Sequence, residues 1–356
     1  MKTLYITLSD PEKWPRPLLA QKALGAKNVV IKYINVPYDL KIRAIEKFVK
    51  FLKICSSLNF GTRSDVIICL NPYPLRKIDF SFFHRRPFVV DYMDVRLDEN
   101  EKLGENEKEI LEGAEGVIFW SKAQMELASR QLDISNYTYV PAGINLHVFN
   151  KVRDIKGFKF TSGFNQEKLV TYFGYSWQIN GREVQGVRDL IEAMTIVEKE
   201  SKNVRLIISG PVLDEYLRQV VKESGIRKIS FFGSVPYGSF EFLNRLDASD
   251  VLVLPTTSYP TVFYAEQHKL FIYMATRKPI VATATPGTRG VLDASTAIFA
   301  EPDDPESLAN AIVRALSDSE YVEKIANNAY GRLVEKYTWD KLAPRYYDFV
   351  VRCLAA

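Results

Sequence analysis

The feature that most constrains this chain is an alternation that occurs twice. Short runs of Val, Ile and Leu are separated by longer amphipathic stretches. Strand-like runs fall at 3–8, 28–34, 65–70, 87–91, 116–120 and 137–140. A second set falls at 168–173, 203–209, 228–232, 250–254 and 279–283. A run that is apolar at successive residues must be buried on both faces, as a parallel strand covered by helices is. Two such sets predict an α/β chain with two Rossmann-like, doubly wound parallel-sheet domains. A length of 356 residues suits two domains of that size. The stretch 151–168 lacks a period, is rich in Lys, Gly and Phe, and reads as the linker. The expected domains are therefore 1–160 and 161–337. The tail, 338–356, carries a last helix expected to pack back on the first domain.

Ligands of doubly wound sheets bind outside the carboxyl ends of the strands. Two such sheets facing each other would form a cleft with one ligand on each side, which makes the post-strand loops the candidate sites. The formal charge of +4 calls for no nucleic-acid partner. Three widely spaced cysteines, Cys55, Cys69 and Cys353, form no zinc-like cluster and fit a reducing, cytoplasmic compartment. The chain opens directly on Leu4-Tyr5-Ile6-Thr7-Leu8, which is not a signal-peptide layout. No apolar run reaches the roughly 20 residues of a membrane span. One local charge signal stands out: in 41–55, Ile42, Ile45, Val49 and Leu52 recur at helical spacing among Lys41, Arg43, Lys47, Lys50 and Lys53. This fits either a basic amphipathic helix on an anionic membrane surface or a domain helix with a solvated lysine face.

Several segments carry a resemblance. Leu169-Val170-Thr171-Tyr172-Phe173-Gly174 is a strand ending in glycine, and Leu206-Ile207-Ile208-Ser209-Gly210 is another. Ile229 to Val235 has the form F-x-G-x-V, and Ala248 to Pro255 is a strand ending in proline. Lys269-Leu270-Phe271-Ile272-Tyr273-Met274-Ala275 leads into Lys278-Pro279-Ile280-Val281-Ala282. In the first half, Glu112 to Ser121 and Tyr139-Val140-Pro141-Ala142-Gly143-Ile144-Asn145 with Phe149 belong to the same ordered set. Over about 87–340 this order and spacing resembles the retaining glycosyltransferases of family four, which have the two-domain GT-B fold. The resemblance implies a nucleotide-sugar donor held by the second domain and an acceptor held by the first.

It also nominates residues. Gly174, Gly210, Val235 and the loop containing Tyr264, Ala265 and Lys269 would hold the donor. The diphosphate is expected at the start of the helix near Glu183 to Lys199, where a helix end offers free N–H groups. Where the family has an Arg and a Lys, this chain has Tyr175 and Gln185; Arg182, the better placed in the loop, or Arg188 would replace the missing cations, or either is only a solvated helix charge. The family's paired glutamates fall on Tyr264 and Ile272, which leaves Glu266 to serve the hydroxyls of the sugar or ribose, or to act only as a charge at a helix start. Asp94 is the expected base toward the acceptor hydroxyl, with Asp91 as fallback and Arg96 beside them; loop capping is the alternative for either aspartate. No Asp-x-Asp stands in a post-strand loop, since Asp303-Asp304 reads as a cap before Pro305. No metal cofactor is therefore expected.

The function implied is transfer of a hexose from a UDP- or GDP-sugar to a glycan or lipid-linked acceptor. Another GT-B enzyme, such as an inverting transferase or a nucleotide-sugar epimerase, and a non-catalytic scaffold on this fold remain open. A dinucleotide dehydrogenase is disfavoured because Leu8 to Trp14 lacks Gly-x-Gly-x-x-Gly.

Overall fold

The computed structural model describes residues 1–7, 16–33, 64–72, 87–151, 154–210, 215–317 and 319–355. The basic stretch 41–55 and the segment Leu8 to Trp14 lie outside the described residues. Two compact units are present, Met1–Ala142 with Trp339–Ala356, and Gly143–Thr338. The division thus falls at 142/143, not at 160/161.

The first unit holds a six-stranded sheet of β1 (Thr3–Thr7), β2 (Val29–Tyr33), β3 (Val66–Leu70), β4 (Phe88–Tyr92), β5 (Gly116–Phe119) and β6 (Tyr137–Tyr139). Its order is β2-β1-β3-β4-β5-β6, and every pairing is parallel. The second unit holds β7 (Lys168–Phe173), a small hairpin of β8 (Gln178–Ile179) and β9 (Arg182–Glu183), β10 (Val204–Ser209), β11 (Ile229–Phe232), β12 (Val251–Leu254), β13 (Ile280–Thr283) and β14 (Ile298–Ala300). Its main sheet runs β11-β10-β7-β12-β13-β14, again parallel throughout. All eleven expected runs became strands, with β1, β3, β4, β5, β12 and β13 buried throughout and the edge strands β6 and β11 only partly covered. β14 and the hairpin escaped the sequence pattern because each is only two or three residues long.

The stretch 151–168 is more than a linker. Residues Ile155–Thr161 form a helix, and Phe158 and Phe164 pack on Phe232 at 5.9 and 6.1 Å between ring centroids. Phe164 joins Leu169, Ile207 and Ala248 in a small core cluster. Among the described residues no helix is long and apolar enough to cross a membrane.

The first unit is closed by its last helix, Trp339–Ala355, through one buried charge. Asp91, in β4, has no exposed surface. Its carboxylate accepts from Arg16 Nε (2.9 Å) and Nη2 (2.9 Å), Tyr5 Oη (2.9 Å), Trp120 Nε1 (2.7 Å) and Tyr346 Oη (3.1 Å). Arg16 also donates to the carbonyls of Pro141 and Val140, and its guanidinium lies over the rings of Trp120 and Tyr346. Sequence-distant parts of the unit, the C-terminal helix included, thus meet on one ion pair. Removing one partner of such a pair leaves a buried charge uncompensated, at a cost of about 3–5 kcal/mol. Arg16→Met is accordingly expected to lower the thermal midpoint of the first unit and speed amide hydrogen exchange in residues 339–355; an unchanged midpoint would contradict the role given to the pair.

Candidate functional site

In the first unit the carboxyl ends of adjacent strands β3 and β4 deliver Asn71 and Asp94. Asn71 has φ 62°, a left-handed conformation that Asn tolerates better than most residues. That turn points its side chain at the next loop. Its Oδ1 accepts from the backbone N–H of Met93 (2.8 Å) and Asp94 (2.9 Å), and its Nδ2 donates to Asp94 Oδ2 (2.9 Å). Asp94 is half-buried. Burial pushes its carboxyl up to about 6, and Glu107 adds to the rise, while the Asn71 hydrogen bond and Arg96 oppose it. A carboxylate of that pKa is suited to take up a proton near neutral pH. Arg96 itself is exposed. Asp91, the expected fallback base, is corrected: Arg16, Tyr5, Trp120 and Tyr346 occupy its oxygens, and it is structural. Asn71 was missed by sequence reasoning, although Asn71-Pro72 after a strand is a turn signal that marks the position.

In the second unit the sheet reverses its winding between β7 and β12. Backbones are in close contact there. A Cβ on Gly210 would overlap the carbonyl of Gly174, one on Gly186 that of Pro255, and one on Gly287 that of Ala265. The exit of β7 is thereby packed on that of β10, the exit of β12 on the start of helix Val187–Glu200, and the turn after β13 on the loop at Ala265. Lys269 enters this corner from the first turn of helix His268–Ala275, whose N-cap, Gln267, makes no side-chain capping bond. Its Nζ donates to Tyr172 Oη (2.8 Å) and Gln185 Oε1 (3.0 Å), 4.4 Å from the centroid of the Tyr172 ring. Tyr172 in turn donates to the carbonyl of Tyr175 (3.1 Å). A Cβ at Gly174 would stand 2.9 Å from Lys269 Nζ and 2.7 Å from Tyr172 Oη. The glycine therefore makes room for the ammonium. Loss of hydration lowers Lys269 to about 7, against the opposing charge of Glu183.

The helix start first expected to hold the diphosphate is already filled. Glu183 accepts from the backbone N–H of Gln185 (2.7 Å), Val187 (2.9 Å) and Arg188 (3.5 Å), capping helix Val187–Glu200 behind the left-handed Gly186. The protein's own carboxylate sits where an external anion was expected. The substitute cations are also engaged elsewhere: Arg182 pairs with Asp303 (3.4 Å), which also holds Ser258, and exposed Arg188 pairs with Glu192 (2.8 Å). Tyr264 caps the short helix Pro260–Phe263 and stacks edge-on with Phe263. Glu266 is buried, with Oε1 3.2 Å from where a Gly290 Cβ would be, so it faces the turn after β13. Val235 is half-buried beyond β11. Arg245, unremarked in the sequence, ties the exits of β10 and β11 by donating to Ser209 Oγ (2.9 Å) and the Gly233 carbonyl (2.6 Å). In short, Gly174, Gly210 and Lys269 converge with Tyr172 and Gln185, while Arg182, Tyr264, Ala265 and Glu266 are committed to neighbouring loops.

Two parallel six-stranded sheets of this topology, each with its own helices, define the GT-B fold. Residues 167–318, within the second unit, match the family model described as Glycosyl transferases group 1. An uncharacterized glycosyltransferase of Methanocaldococcus jannaschii is 30% identical over 183 residues, covering 50% of this chain and 43% of that relative. The match thus spans less than half of the relative's length. Among solved structures, Anabaena HepE in complex with UDP is similar over 99% of this chain and 100% of its own, with a TM-score of 0.78 at 16% identity. Sucrose-phosphate synthase from Thermosynechococcus elongatus matches over 100% of both chains, with a TM-score of 0.73 at 16% identity. The fold is that of GT-B glycosyltransferases, and residues 167–318 resemble a group 1 glycosyltransferase domain.

The glycine contacts make a graded expectation. Gly210→Ala places a methyl into backbone that cannot yield and should cost about 1–3 kcal/mol, whereas Gly233→Ala, with nothing within 4 Å of its added Cβ, should leave the thermal midpoint near that of the wild type. Equal midpoints for the two variants would mean that the strand exits are not packed as described.

Proposed function

We propose that the chain is a nucleotide-sugar glycosyltransferase that moves a hexose from a UDP- or GDP-sugar to a hydroxyl of a glycan or lipid-linked acceptor, with retention at the anomeric carbon. The observation that carries this is the Lys269 ammonium, held between two neutral acceptors at the carboxyl end of β7 in the first turn of a helix whose N-cap side chain makes no capping bond. Such a corner attracts a diphosphate through a cation and the helix dipole together. The UDP complex of HepE supports the choice of ligand, since that protein shares the fold.

In the proposed reaction the bond between the anomeric carbon and the diphosphate oxygen breaks, and a bond to the acceptor oxygen forms. The nucleoside diphosphate leaves with the electron pair, and Lys269 stabilises the charge that develops on it. The proton of the acceptor hydroxyl passes to Asp94, which Asn71 orients. Divalent metal is not part of this scheme. Attachment to an anionic membrane through 41–55 fits a lipid-linked acceptor.

A thermal-shift series with UDP, GDP and their sugars, with and without EDTA, tests donor binding. A ligand at 100 times its dissociation constant should stabilise the protein by about 2.7 kcal/mol. No shift with any of them refutes the donor assignment, and a shift abolished by EDTA refutes metal independence.

Asp94 provides the second check. Its acid must be ionised to accept a proton, so turnover should fall as pH drops through about 6. Asp94→Asn should reduce turnover by about 100- to 10,000-fold with nucleotide affinity unchanged. A fully active Asp94→Asn enzyme would move the proton to another acceptor.

A further inference from the structure

Lys269 has two bonded acceptors, and neither carries charge. A cation withdrawn from water without a counter-anion is unfavourable, and a carboxylate at either acceptor position would relieve it. The nearby Glu183 does not bond to Nζ but turns into the N–H groups of Gln185 and Val187. Gln185, two residues on and itself 8% exposed, presents only an amide oxygen. The other titratable groups around this corner are Tyr172 from β7, Tyr175 from its exit, and His268 and Tyr273 from the lysine's own helix. Burial pushes Tyr172 and Tyr273 up, so neither supplies negative charge at neutral pH.

We propose that Gln185 is a positioning residue that holds the Lys269 ammonium at the carboxyl end of β7 without neutralising it, so that its charge is left for the phosphates of the donor. This rests on the donor-binding function proposed above. The amide oxygen fixes the direction of one N–H bond, as a carboxylate would, but adds no charge that the incoming diphosphate must displace. The arrangement couples binding to a proton. The free lysine, lowered by loss of hydration, is partly neutral at pH 7, and a diphosphate beside it favours the charged form. Donor binding therefore takes up a proton at Lys269, and affinity falls as pH rises above about 7, by up to roughly tenfold per pH unit.

Gln185→Glu separates orientation from charge. It keeps the shape and the hydrogen bond, pairs with Lys269 internally, raises the lysine's pKa and repels phosphate. Calorimetric titrations of wild type, Gln185→Glu and Gln185→Ala with UDP-glucose and GDP-mannose, from about pH 6 to 8.5 in two buffers of different ionisation enthalpy, read each effect. These sugar diphosphates do not change charge at phosphate in that window, so proton uptake reports the protein. Wild type should take up a fraction of a proton above pH 7. Gln185→Glu should bind about tenfold or more weakly at pH 6.5, with its loss of affinity displaced to higher pH. Gln185→Ala should bind several-fold more weakly with the wild-type pH dependence, and its result stands even if the glutamate variant misfolds. Wild-type affinity in Gln185→Ala, or a wild-type pH profile in a folded Gln185→Glu, overturns the proposal. Failure of wild type to bind either sugar nucleotide overturns the donor-binding function instead.

Discussion

The second unit is organised around a half-buried ammonium group, that of Lys269, whose bonded acceptors, Tyr172 and Gln185, carry no charge. Gly174 lacks a side chain because Nζ and the Tyr172 hydroxyl occupy its space. Tyr172 is fixed in turn by the carbonyl of Tyr175 and presents its ring to the cation. Gly210 and Gly186 let the neighbouring strand exits close on this point. A packed interior does not keep a half-satisfied cation there for stability, since apolar residues would serve better. This cost, together with a position at the winding reversal of the sheet, is what the proposed donor-binding role rests on.

The first unit treats a buried charge in the opposite way. Asp91 has a salt-bridged arginine, two tyrosine hydroxyls and an indole N–H around it. It has no capacity left for chemistry. What the pair supplies is connection: the first strand, the first helix, β4, the exit of β5 and the C-terminal helix converge on two side chains. Three residues later, Asp94 has a half-buried carboxyl that accepts from the Asn71 amide, and burial outweighs that hydrogen bond and the Arg96 charge to raise its pKa. Two aspartates in one sequence segment thus differ in bonding through their surroundings alone, and only Asp94 is left for the proposed chemistry.

Helix ends show the same division. The start of helix Val187–Glu200 is closed by Glu183, so its partial positive charge is spent within the fold. The start of helix His268–Ala275 has no side-chain cap. A helix N-terminus attracts anions in general, and at the first of these two the chain supplies its own carboxylate, while at the second the N-cap side chain of Gln267 makes no capping bond.

The sequence by itself determined the layers. Continuous apolar runs can be buried only on both faces, so the runs 3–8, 65–70, 168–173 and 250–254 had to be interior parallel strands, and two series of them had to make two doubly wound units. It also marked Gly174, Gly210 and Lys269, because an ordered set of strand exits is visible in one dimension. Tertiary structure alone decided what those residues are for. That Gly174 seats an ammonium, that Gln185 bonds a lysine 84 positions away, that Asp91 is spent on Arg16 and Tyr346, and that Phe158 and Phe164 give the presumed linker a core are all contacts between residues distant in the chain. Periodicity reports which face of an element is buried, but it carries no record of which other element covers that face, and the charge of a buried group is set by that neighbour.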